Sequence, residues 1–326
     1  KMILAIIGAT GLVGREIIKV LEEQNIKNIK KTIFVATNKN VGKTINFKKG
    51  LEKVISINEA LKHKPNYTIF SAGSESAKKY AKKFINKGAV VIDNSSAFRM
   101  EKEVKLIVPE INGKELTKKE KIIANPNCST IQLVLAINNI HKELKIKRLI
   151  ISTYQAVTGS GKRAVSQLQS EEKKKTGKKI YKKTIHRNII PQCDDFLESG
   201  YTKEELKIIQ ETNKILNTNI KITATAVRVP TLGGHGESVN IETEKKVEVK
   251  NVVTLLEKQK GVVVNKKNNY TTPIESQGKD DVFVSRIRKD TSIKNGINMW
   301  IVADPLRKGA ATNAVQILKH MISINK

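Results

Sequence analysis

Cysteine is scarce in this chain, with only two among 326 residues. Two cysteines cannot build a disulfide framework or a cysteine-rich metal site, so a reducing compartment is favoured and no metal is expected. No apolar run approaches the ~20 residues that a membrane-spanning helix needs. The sequence also passes directly from Met2 into a strand-like run and a glycine turn, which leaves no stretch typical of a signal peptide. These absences predict a cytoplasmic protein with no membrane partner.

Aromatic residues make up only 4% of the chain, and only nine of its 60 basic residues are arginine. The net charge of +29 would by itself suit a nucleic-acid partner. Nucleic-acid-binding surfaces, however, usually concentrate arginine and add aromatic side chains for base stacking. Because the lysines are spread along the whole chain, we expect solvated lysine-rich surfaces and no nucleic-acid partner. A basic, non-catalytic binding protein with a nucleotide-binding fold is the alternative that this charge leaves open.

A glycine turn near the amino terminus gives the first indication of a ligand. Met2–Ile7 is a continuous apolar run, typical of a strand buried on both faces of a parallel sheet. A G-x-x-G-x-x-G turn and a helical pattern follow it, an order in which backbone N–H groups at the helix start can bind a pyrophosphate. A tight turn without a ligand is the alternative. The predicted nucleotide contacts are Gly8, Thr10, Gly11, Leu12, Val13 and Gly14.

The second predicted strand, at 32–36, ends in a loop without a carboxylate. A site for NAD would place Asp or Glu there to bind the ribose hydroxyls. This loop instead offers a hydroxyl, an amide and an ammonium group from Thr37, Asn38 and Lys39. These groups suit the 2′-phosphate of NADP, although a polar loop of no special function is the alternative.

Three further strand-like runs end in small or polar residues. The first leads into Ser71-Ala72-Gly73, the second into a loop that contains Arg99, and the third into Cys128. Because ligands bind at the carboxyl ends of the strands of an open α/β sheet, these loops are expected to converge. Arg99 would then offer a guanidinium suited to a phosphate or a carboxylate, or else it forms a surface salt bridge.

Cys128 follows the short segment Asn125-Pro126-Asn127 and precedes a long apolar stretch with helical character. Since Pro126 disfavours a helical conformation at Asn125, the cysteine is predicted to lie where a helix begins. Backbone N–H groups and the helix dipole stabilise a thiolate at such a position. An inert, buried cysteine is the alternative, and it is the interpretation that we prefer for Cys193.

After about residue 130, strand-like segments follow one another, which favours an α+β domain with a mostly antiparallel sheet. The expected strands are 147–152, 220–230, 237–243, 246–249, 262–264, 282–288 and 297–303. Helices are expected at 163–175 and 203–215, the second beginning with a capping box of Thr202 and Glu205. The predicted organisation is a Rossmann-type α/β nucleotide-binding domain at 1–127, completed by a final helix at 308–326, and a second domain at 128–307.

A strand with Arg228 and a Pro/Gly turn that leads to His235 form a second cluster. A neutral histidine can act as acid or base for a thiol nucleophile, and an arginine can hold a carboxylate. A structural histidine is the alternative, but the other four histidines lie in lysine-rich or peripheral stretches. With Cys128 and a nucleotide site, these residues indicate thiolate attack on an acyl or aldehyde carbon, combined with hydride transfer.

Together, these motifs resemble the aspartate-β-semialdehyde dehydrogenase family over nearly the whole chain. The resemblance is carried by the glycine turn, 93–99 (DNSSAFR), 125–130 (NPNCST), 154–157 (YQAV), 228–230 (RVP), 235–237 (HGE), 273–280 and 308–314. It implies Cys128 as nucleophile, His235 as general acid/base and Gln155 as the residue that positions the reacting group. The implied substrate contacts are Arg228 for the α-carboxylate, Glu204 for the amino group, and Arg99, Asn127 and Lys207 for phosphate.

The resemblance also implies NADP as the cofactor. The implied additional residues near the cofactor are Ser71, Ala72, Gly73, Ser160, Gly161, Thr312 and Asn313. Two positions differ from the family pattern: Pro305 stands where Asn is expected, and Lys39 stands where Arg is commoner. Both differences bear on cofactor affinity more than on the reaction.

The expected function is therefore NADPH-dependent reductive dephosphorylation of L-4-aspartyl phosphate to L-aspartate 4-semialdehyde, a step toward lysine, methionine and threonine. The expected partners are the small-molecule substrate, phosphate and a second copy of the chain, which binds through the second domain to form a homodimer. A reductase acting on N-acetylglutamyl phosphate is the alternative enzyme.

Overall fold

A computed structural model of the chain describes residues 2–175 and 177–325, without the side chain of Asn38. The strands are β1 (Met2–Ile7), β2 (Ile29–Val35), β3 (Thr44–Phe47), β4 (Gly50–Lys53), β5 (Tyr67–Phe70), β6 (Val90–Asp93), β7 (Lys105–Leu106), β8 (Ile122–Ala124), β9 (Ile146–Ala156), β10 (Lys221–Val229), β11 (His235–Thr243), β12 (Val262–Val264), β13 (Val282–Asp290) and β14 (Gly296–Ala303). The α-helices are α1 (Leu12–Gln24), α2 (Ile57–Lys62), α3 (Ser74–Ile85), α4 (Pro109–Asn112), α5 (Cys128–Leu144), α6 (Lys162–Glu172), α7 (Lys203–Leu216), α8 (Val249–Glu257), α9 (Pro273–Ser276) and α10 (Thr312–Ile324). The chain divides into two compact units, one formed by Lys1–Pro126 with Ala310–Lys326 and the other by Asn127–Gly309.

The first unit contains a six-stranded parallel sheet in the order β2-β1-β5-β6-β8-β7. In the β1–β5 pair, Ile7 lies opposite Phe70, so the loops that follow both strands start at the same edge of the sheet. The strand order reverses between β1 and β5, which is where doubly wound folds bind nucleotides. The predicted Rossmann-type fold is confirmed in this unit.

Apolar residues cover both faces of this parallel sheet. Leu4 and Ile6 of β1 pack in the same core as α1 and α10. Ala5 and Ile7 point to the other face and pack in the core that contains α3. A strand covered on both sides has no polar alternation, which explains the uninterrupted apolar run. The final helix is α-helical from Thr312 and follows a π-helical turn at Arg307–Ala311.

The second unit contains a mixed sheet in the order β10-β9-β11-β14-β13-β12. The three central pairs, β9–β11, β11–β14 and β14–β13, are antiparallel, while the outer pairs β10–β9 and β12–β13 are parallel. The prediction of a mostly antiparallel sheet is therefore confirmed. The almost completely buried helix α5 packs on this sheet against β9, β11, β13 and β14.

The strand predicted at 246–249 is wrong. In the described structure Glu248 precedes α8, which begins at Val249. Val252 and Leu256 of that helix are buried and lie four residues apart. This helical spacing continues over nine residues and outweighs the short alternation before it.

Candidate active site

The glycine turn of the first unit leaves no room for side chains. A Cβ on Gly8 would overlap the carbonyl oxygen of Ser71, and a Cβ on Gly14 would overlap that of Gly8. Gly8 also has a φ of +87°, a conformation that favours glycine. Helix α1 starts at Leu12 and has, among the described residues, neither a side-chain cap nor an acidic group in its first turn. Its first N–H groups can therefore stabilise a phosphate.

A cavity of about 430 Å³ lies at the end of β2. Its lining consists of Ala36, Thr37, Lys39, Ser56, Ile57, Asn58, Ser76 and Tyr80. None of these described lining residues carries a carboxylate, and Lys39 brings a positive charge. Such a lining suits an anionic group. The side chain of Asn38, the third predicted contact here, lies outside the described part of the chain.

Hydrogen bonds connect this loop to the glycine turn. The Thr10 hydroxyl accepts from the side-chain amide of Asn40 at 3.2 Å, and Asn40 Oδ1 accepts from Lys43 Nζ at 2.7 Å. The neighbouring loop after β5 ends at Gly73, which precedes α3 with a φ of +83°. The first unit thus places the predicted cofactor residues of three loops at one edge of its sheet.

Arg99 and Asn313 are both buried within the first unit. Arg99 Nε donates to the carbonyl of Asn125 at 2.9 Å, and Nη2 donates to that of Asn94 at 2.8 Å. The alternative of a surface salt bridge for Arg99 is therefore wrong. The Asn313 amide donates to the Ile107 carbonyl at 2.9 Å and to Asn125 Oδ1 at 2.7 Å. Asn313 thus holds Asn125, and its described contacts are to protein groups inside the unit.

Cys128 is the first residue of α5, as predicted. Asn127 is the N-cap, and its Oδ1 accepts from the N–H groups of Ser129 at 2.9 Å and Thr130 at 3.3 Å. The thiol-bearing residue is partly exposed. Gly309 packs so closely that a Cβ there would lie 2.8 Å from the Cβ of Cys128. The cysteine is therefore held at the positive end of a long buried helix, where a thiolate is stabilised.

A buried carboxylate, Glu204, connects three of the predicted site residues. Its Oε1 accepts from Asn127 at 2.9 Å and from Gln155 at 3.3 Å, and its Oε2 lies 3.2 Å from Lys207 Nζ. Burial alone would raise the pKa of Glu204, but the charge of Lys207, the Asn127 amide and the charge of Arg228 outweigh it and lower the pKa. Glu204 is therefore a carboxylate at neutral pH.

Two further contacts fix the same network. Gln155 Nε2 donates to the Ser129 hydroxyl at 3.0 Å, and Lys207 pairs with Asp194 at 2.6 Å. Glu211, which the sequence analysis missed, accepts from the backbone N–H of Asn127 at 2.7 Å. Its position, four residues after Lys207 on α7, places it on the helix face that carries Glu204 and was the available signal.

The backbone of Ala156 holds both Arg228 and His235. Its carbonyl accepts from Arg228 Nη1 at 2.8 Å, and its N–H donates to His235 Nδ1 at 3.0 Å. Because Nδ1 accepts, the neutral imidazole carries its proton on Nε2. Burial, reinforced by the charge of Arg228, lowers the pKa of His235 to about 3. The ring is therefore neutral at physiological pH and presents a donor at Nε2.

The turn after β9 packs directly on these two side chains. A Cβ on Gly159 would lie 2.7 Å from His235 Nε2 and 3.4 Å from Arg228 Nη1. Only glycine leaves both groups undisturbed. Ser160 and Gly161 follow, and Gly161 precedes α6 with a φ of +85°. These two predicted cofactor residues therefore belong to the second unit.

Two family models cover most of the chain. The semialdehyde dehydrogenase NAD-binding domain matches residues 3–119, and the semialdehyde dehydrogenase dimerisation domain matches residues 137–308. An aspartate-semialdehyde dehydrogenase from Aquifex aeolicus is 46% identical over 98% of this chain and 97% of its own length. This chain belongs to the aspartate-semialdehyde dehydrogenase family.

Other members of the aspartate-semialdehyde dehydrogenase family agree in sequence and in fold. The enzyme from Rickettsia conorii is 42% identical over 99% of this chain and 98% of its own. The structure of aspartate semialdehyde dehydrogenase II from Vibrio cholerae, complexed with ASA, has a TM-score of 0.96 and 38% identity, and it covers 99% of this chain and 98% of that one. The resemblance drawn from the sequence motifs is confirmed.

Pro305 is one of the two positions, with Lys39, at which this semialdehyde dehydrogenase differs from the expected family pattern. It lies in a turn that Asp304 closes: Asp304 Oδ1 accepts from the N–H groups of Leu306 at 2.8 Å and Arg307 at 3.3 Å. The other carboxylate oxygen accepts from the N–H of Gly278 at 2.7 Å. The described hydrogen bonds of this turn therefore need no N–H at residue 305.

Within residues 2–175 and 177–325 of this family member, no group of His, Cys, Asp and Glu side chains is arranged to bind a metal ion. None of the described helices combines the length and the apolar character that crossing a membrane requires.

Glu237 is a buried carboxyl group that sequence reasoning did not place in the dehydrogenase site. It lies two residues after His235 on β11, opposite Thr153 of β9. Neither of its carboxyl oxygens has a hydrogen-bond partner among the described residues. Burial raises the pKa of Glu237 well above its ordinary value, and the nearby Gln132 amide offsets this only in part. Glu237 therefore keeps its proton to a higher pH than an exposed glutamate does. It lies near His235, whose carbonyl accepts from Gln132 at 3.2 Å.

We expect Glu237→Gln to stabilise the enzyme increasingly as the pH rises. Above about pH 4.5 the unfolded chain ionises this carboxyl, whereas its raised pKa delays ionisation in the folded chain. Wild-type stability therefore falls by up to about 1.4 kcal/mol per pH unit until the folded carboxyl ionises as well. Glutamine keeps the shape and removes the titration. Urea unfolding at pH 5, 6.5 and 8 measures the difference. Glu242→Gln, which alters a carboxylate near the surface beside Lys147, is the control, and parallel pH curves for wild type and Glu237→Gln would contradict the assignment.

Proposed function

We propose that this chain catalyses the NADP-dependent reductive dephosphorylation of L-4-aspartyl phosphate to L-aspartate 4-semialdehyde. The observation that carries the proposal is the position of Cys128 at the start of α5, next to the hydrogen-bonded network of Asn127, Gln155 and Glu204. A nucleophilic thiolate at a helix start, with a fixed amide and a charged carboxylate from neighbouring elements, is what an acyl-transfer site requires.

The first chemical step is attack of Cys128 Sγ on the acyl carbon of the substrate. The carbon–sulfur bond forms, the bond from carbon to the phosphate oxygen breaks, and phosphate leaves with the electron pair. The product is a thioester on Cys128. Gln155, held by Ser129 and Glu204, positions the acyl group during this step.

The nicotinamide group, when bound, supplies the hydride that reduces the thioester. Negative charge then develops on the former carbonyl oxygen, and the aldehyde forms when the sulfur leaves as a thiolate. The neutral His235 ring has its proton on Nε2, where it donates to that oxygen or to the departing sulfur. The family resemblance implies that His235 acts as both acid and base. This tautomer supports its role as the acid.

Each charged group of the site is assigned to one charged part of the substrate. Arg228 binds the α-carboxylate and the ionised Glu204 binds the ammonium group, a pairing of opposite charges in buried surroundings. Arg99, Asn127 and Lys207 bind phosphate in this assignment.

The first unit binds the cofactor through the start of α1 and the loop of Thr37 and Lys39. The N–H groups after Gly11 would hold the pyrophosphate, since no described acidic side chain competes in the first turn. The cavity lined by Thr37 and Lys39 takes the 2′-phosphate of NADP.

We expect Lys39→Glu to reduce the ratio of kcat/KM for NADP to kcat/KM for NAD. A carboxylate repels the 2′-phosphate and can accept from the ribose hydroxyls of NAD, so kcat/KM for NADP should fall by roughly 10-fold or more while that for NAD changes little. Initial rates with both cofactors measure the ratio. Lys78→Glu has the same charge change on an exposed residue of α3 outside the cavity lining and is the matched control. An equal loss with both cofactors would contradict the assignment.

The second unit supplies the catalytic groups and the contact between two copies in a homodimer. The face of its sheet opposite α5 carries an aromatic pair, Tyr154 and Trp300, with ring centroids 5.6 Å apart. Tyr154 and its strand neighbour Ile150 are exposed in the single chain. Exposed aromatic and aliphatic side chains on a sheet face are typical of a subunit interface, and sedimentation should give twice the chain mass.

One assay tests the proposal as a whole. Purified protein should form NADPH from L-aspartate 4-semialdehyde only when phosphate or a similar oxyanion is present. N-acetylglutamate semialdehyde should be turned over at least about 100-fold less efficiently, because its acetylated nitrogen cannot pair with Glu204. Preferred turnover of the acetylated substrate, or binding of nucleic acid without any turnover, would overturn the proposal.

A further inference from the structure

The Tyr181 side chain lies within electrostatic range of the proposed substrate-binding arginine, Arg228. Burial raises the pKa of Tyr181, while the positive charge of Arg228 and the Ser160 hydroxyl act in the opposite direction. The phenol is therefore a proton donor at neutral pH, and the charge of Arg228 acts on its pKa.

Two buried donor atoms in this cluster make no hydrogen bond of normal geometry among the described residues, although the Ser160 hydroxyl lies near enough to the phenol to lower its pKa. They are the Tyr181 hydroxyl and Nε of Arg228. One terminal nitrogen of the arginine, Nη1, donates to the Ala156 carbonyl at 2.8 Å. A buried donor without a partner costs stability, so each of these two donors suits an anionic acceptor.

The backbone at Tyr181 is fixed by two side chains of α6. Gln167 Oε1 accepts from the N–H groups of Ile180 at 2.7 Å and Tyr181 at 3.0 Å. Glu171 accepts from the N–H groups that follow at Ile185 and His186, at 2.8 and 2.9 Å. The segment that carries the tyrosine is thus anchored at both ends rather than left as a free surface loop.

The tyrosine ring and the Arg228 backbone belong to one packed cluster. The ring packs against the core of Val157, Ala164, Leu168, Ile185 and Ile190. Ile190 in turn pairs with Arg228 through two backbone hydrogen bonds, at 3.0 and 2.8 Å. The tyrosine ring and the Arg228 backbone are therefore both held by packing and hydrogen bonds, which limits the rearrangement that ligand binding requires.

We propose that Tyr181 is a further substrate-binding residue, whose hydroxyl donates to the α-carboxylate that Arg228 holds. This inference rests on the proposed function and adds a specificity determinant to it. A carboxylate has two oxygens and about four acceptor positions, so it can accept from the guanidinium and from the phenol together. A neutral donor beside the arginine favours a carboxylate without adding charge.

Tyr181→Phe removes the hydroxyl and keeps the ring in its apolar cluster. We expect the KM for L-aspartate 4-semialdehyde to rise roughly 10-fold, because one hydrogen bond to a charged group is lost. The kcat and the KM values for phosphate and NADP should change by less than about twofold. Tyr201→Phe, which loses a phenol bonded to Thr223 at 2.9 Å, is the matched control and should leave all four constants unchanged.

A substrate without the carboxylate separates binding from structure. With 3-aminopropanal, wild type and Tyr181→Phe should show the same kcat/KM, and their thermal midpoints should agree. An unchanged KM for the semialdehyde in Tyr181→Phe, or an equal loss with both aldehydes, would overturn the inference. Failure of the proposed function gives a different result, since wild type itself would then not turn over L-aspartate 4-semialdehyde.

Discussion

Cys128→Ala should lower phosphate-dependent NADPH formation from L-aspartate 4-semialdehyde by at least about 10⁴-fold, the largest effect expected of any single change in this chain. Without Sγ no covalent acyl intermediate can form, and no other described group at the start of α5 can replace it. The helix should survive, because the Asn127 side chain caps Ser129 and Thr130 rather than residue 128. Steady-state rates and fluorescence titration with NADPH measure the two properties separately.

The matched control is Cys193→Ala, which removes the other thiol of the chain. Cys193 is buried, and burial raises its pKa to about 12, so it is protonated at every physiological pH. The variant should keep the wild-type rate within about threefold. A Cys128→Ala enzyme with near-normal turnover, or one that has lost NADPH affinity as well, would contradict the assignment of Cys128 as nucleophile.

The sequence predicted those parts of the fold that local patterns determine. The apolar run of β1 and the capping box of α7, in which Thr202 and Glu205 bond each other's backbone, were both recognisable from a few adjacent residues. The hairpin of β3 and β4 and the two-residue strand β7 were missed. Their residues are largely exposed or few, and such strands exist only through pairing with a neighbour, which no local pattern reveals.

In the site, too, adjacent residues predicted some features, whereas contacts between residues far apart in the sequence could not be predicted from local patterns. Pro126 and the apolar stretch after it predicted a helix start at Cys128, and the structure has it there. The link from Asn127 to Glu204 joins residues 77 positions apart, so only the family resemblance brought Glu204 into consideration. Glu237 belongs to the 235–237 (HGE) motif, but nothing in the motif showed that it is buried, because a glutamate in an alternating strand normally faces water.

The protonation of His235 is the clearest case of a property that no sequence pattern carries. It depends on a backbone donor, the N–H of Ala156, that lies 79 positions away. That bond selects the tautomer, and burial together with Arg228 sets the pKa. The residue was predicted as an acid/base from its type, whereas its direction of proton transfer follows only from the folded structure.

His235→Asn should therefore lower kcat by about 10²- to 10³-fold and leave the KM for the semialdehyde within about threefold. Asparagine Oδ1 can still accept from the Ala156 N–H, but the donor at Nε2 is lost. Because the pKa of His235 is about 3, this ring does not titrate between pH 6 and 9. Wild type and His235→Asn should thus give kcat/KM profiles of the same shape and different height. His186→Ala, in the loop after α6, is the control, and a wild-type acid limb near pH 6.5 that disappears in His235→Asn would show that the ring titrates as an ordinary histidine.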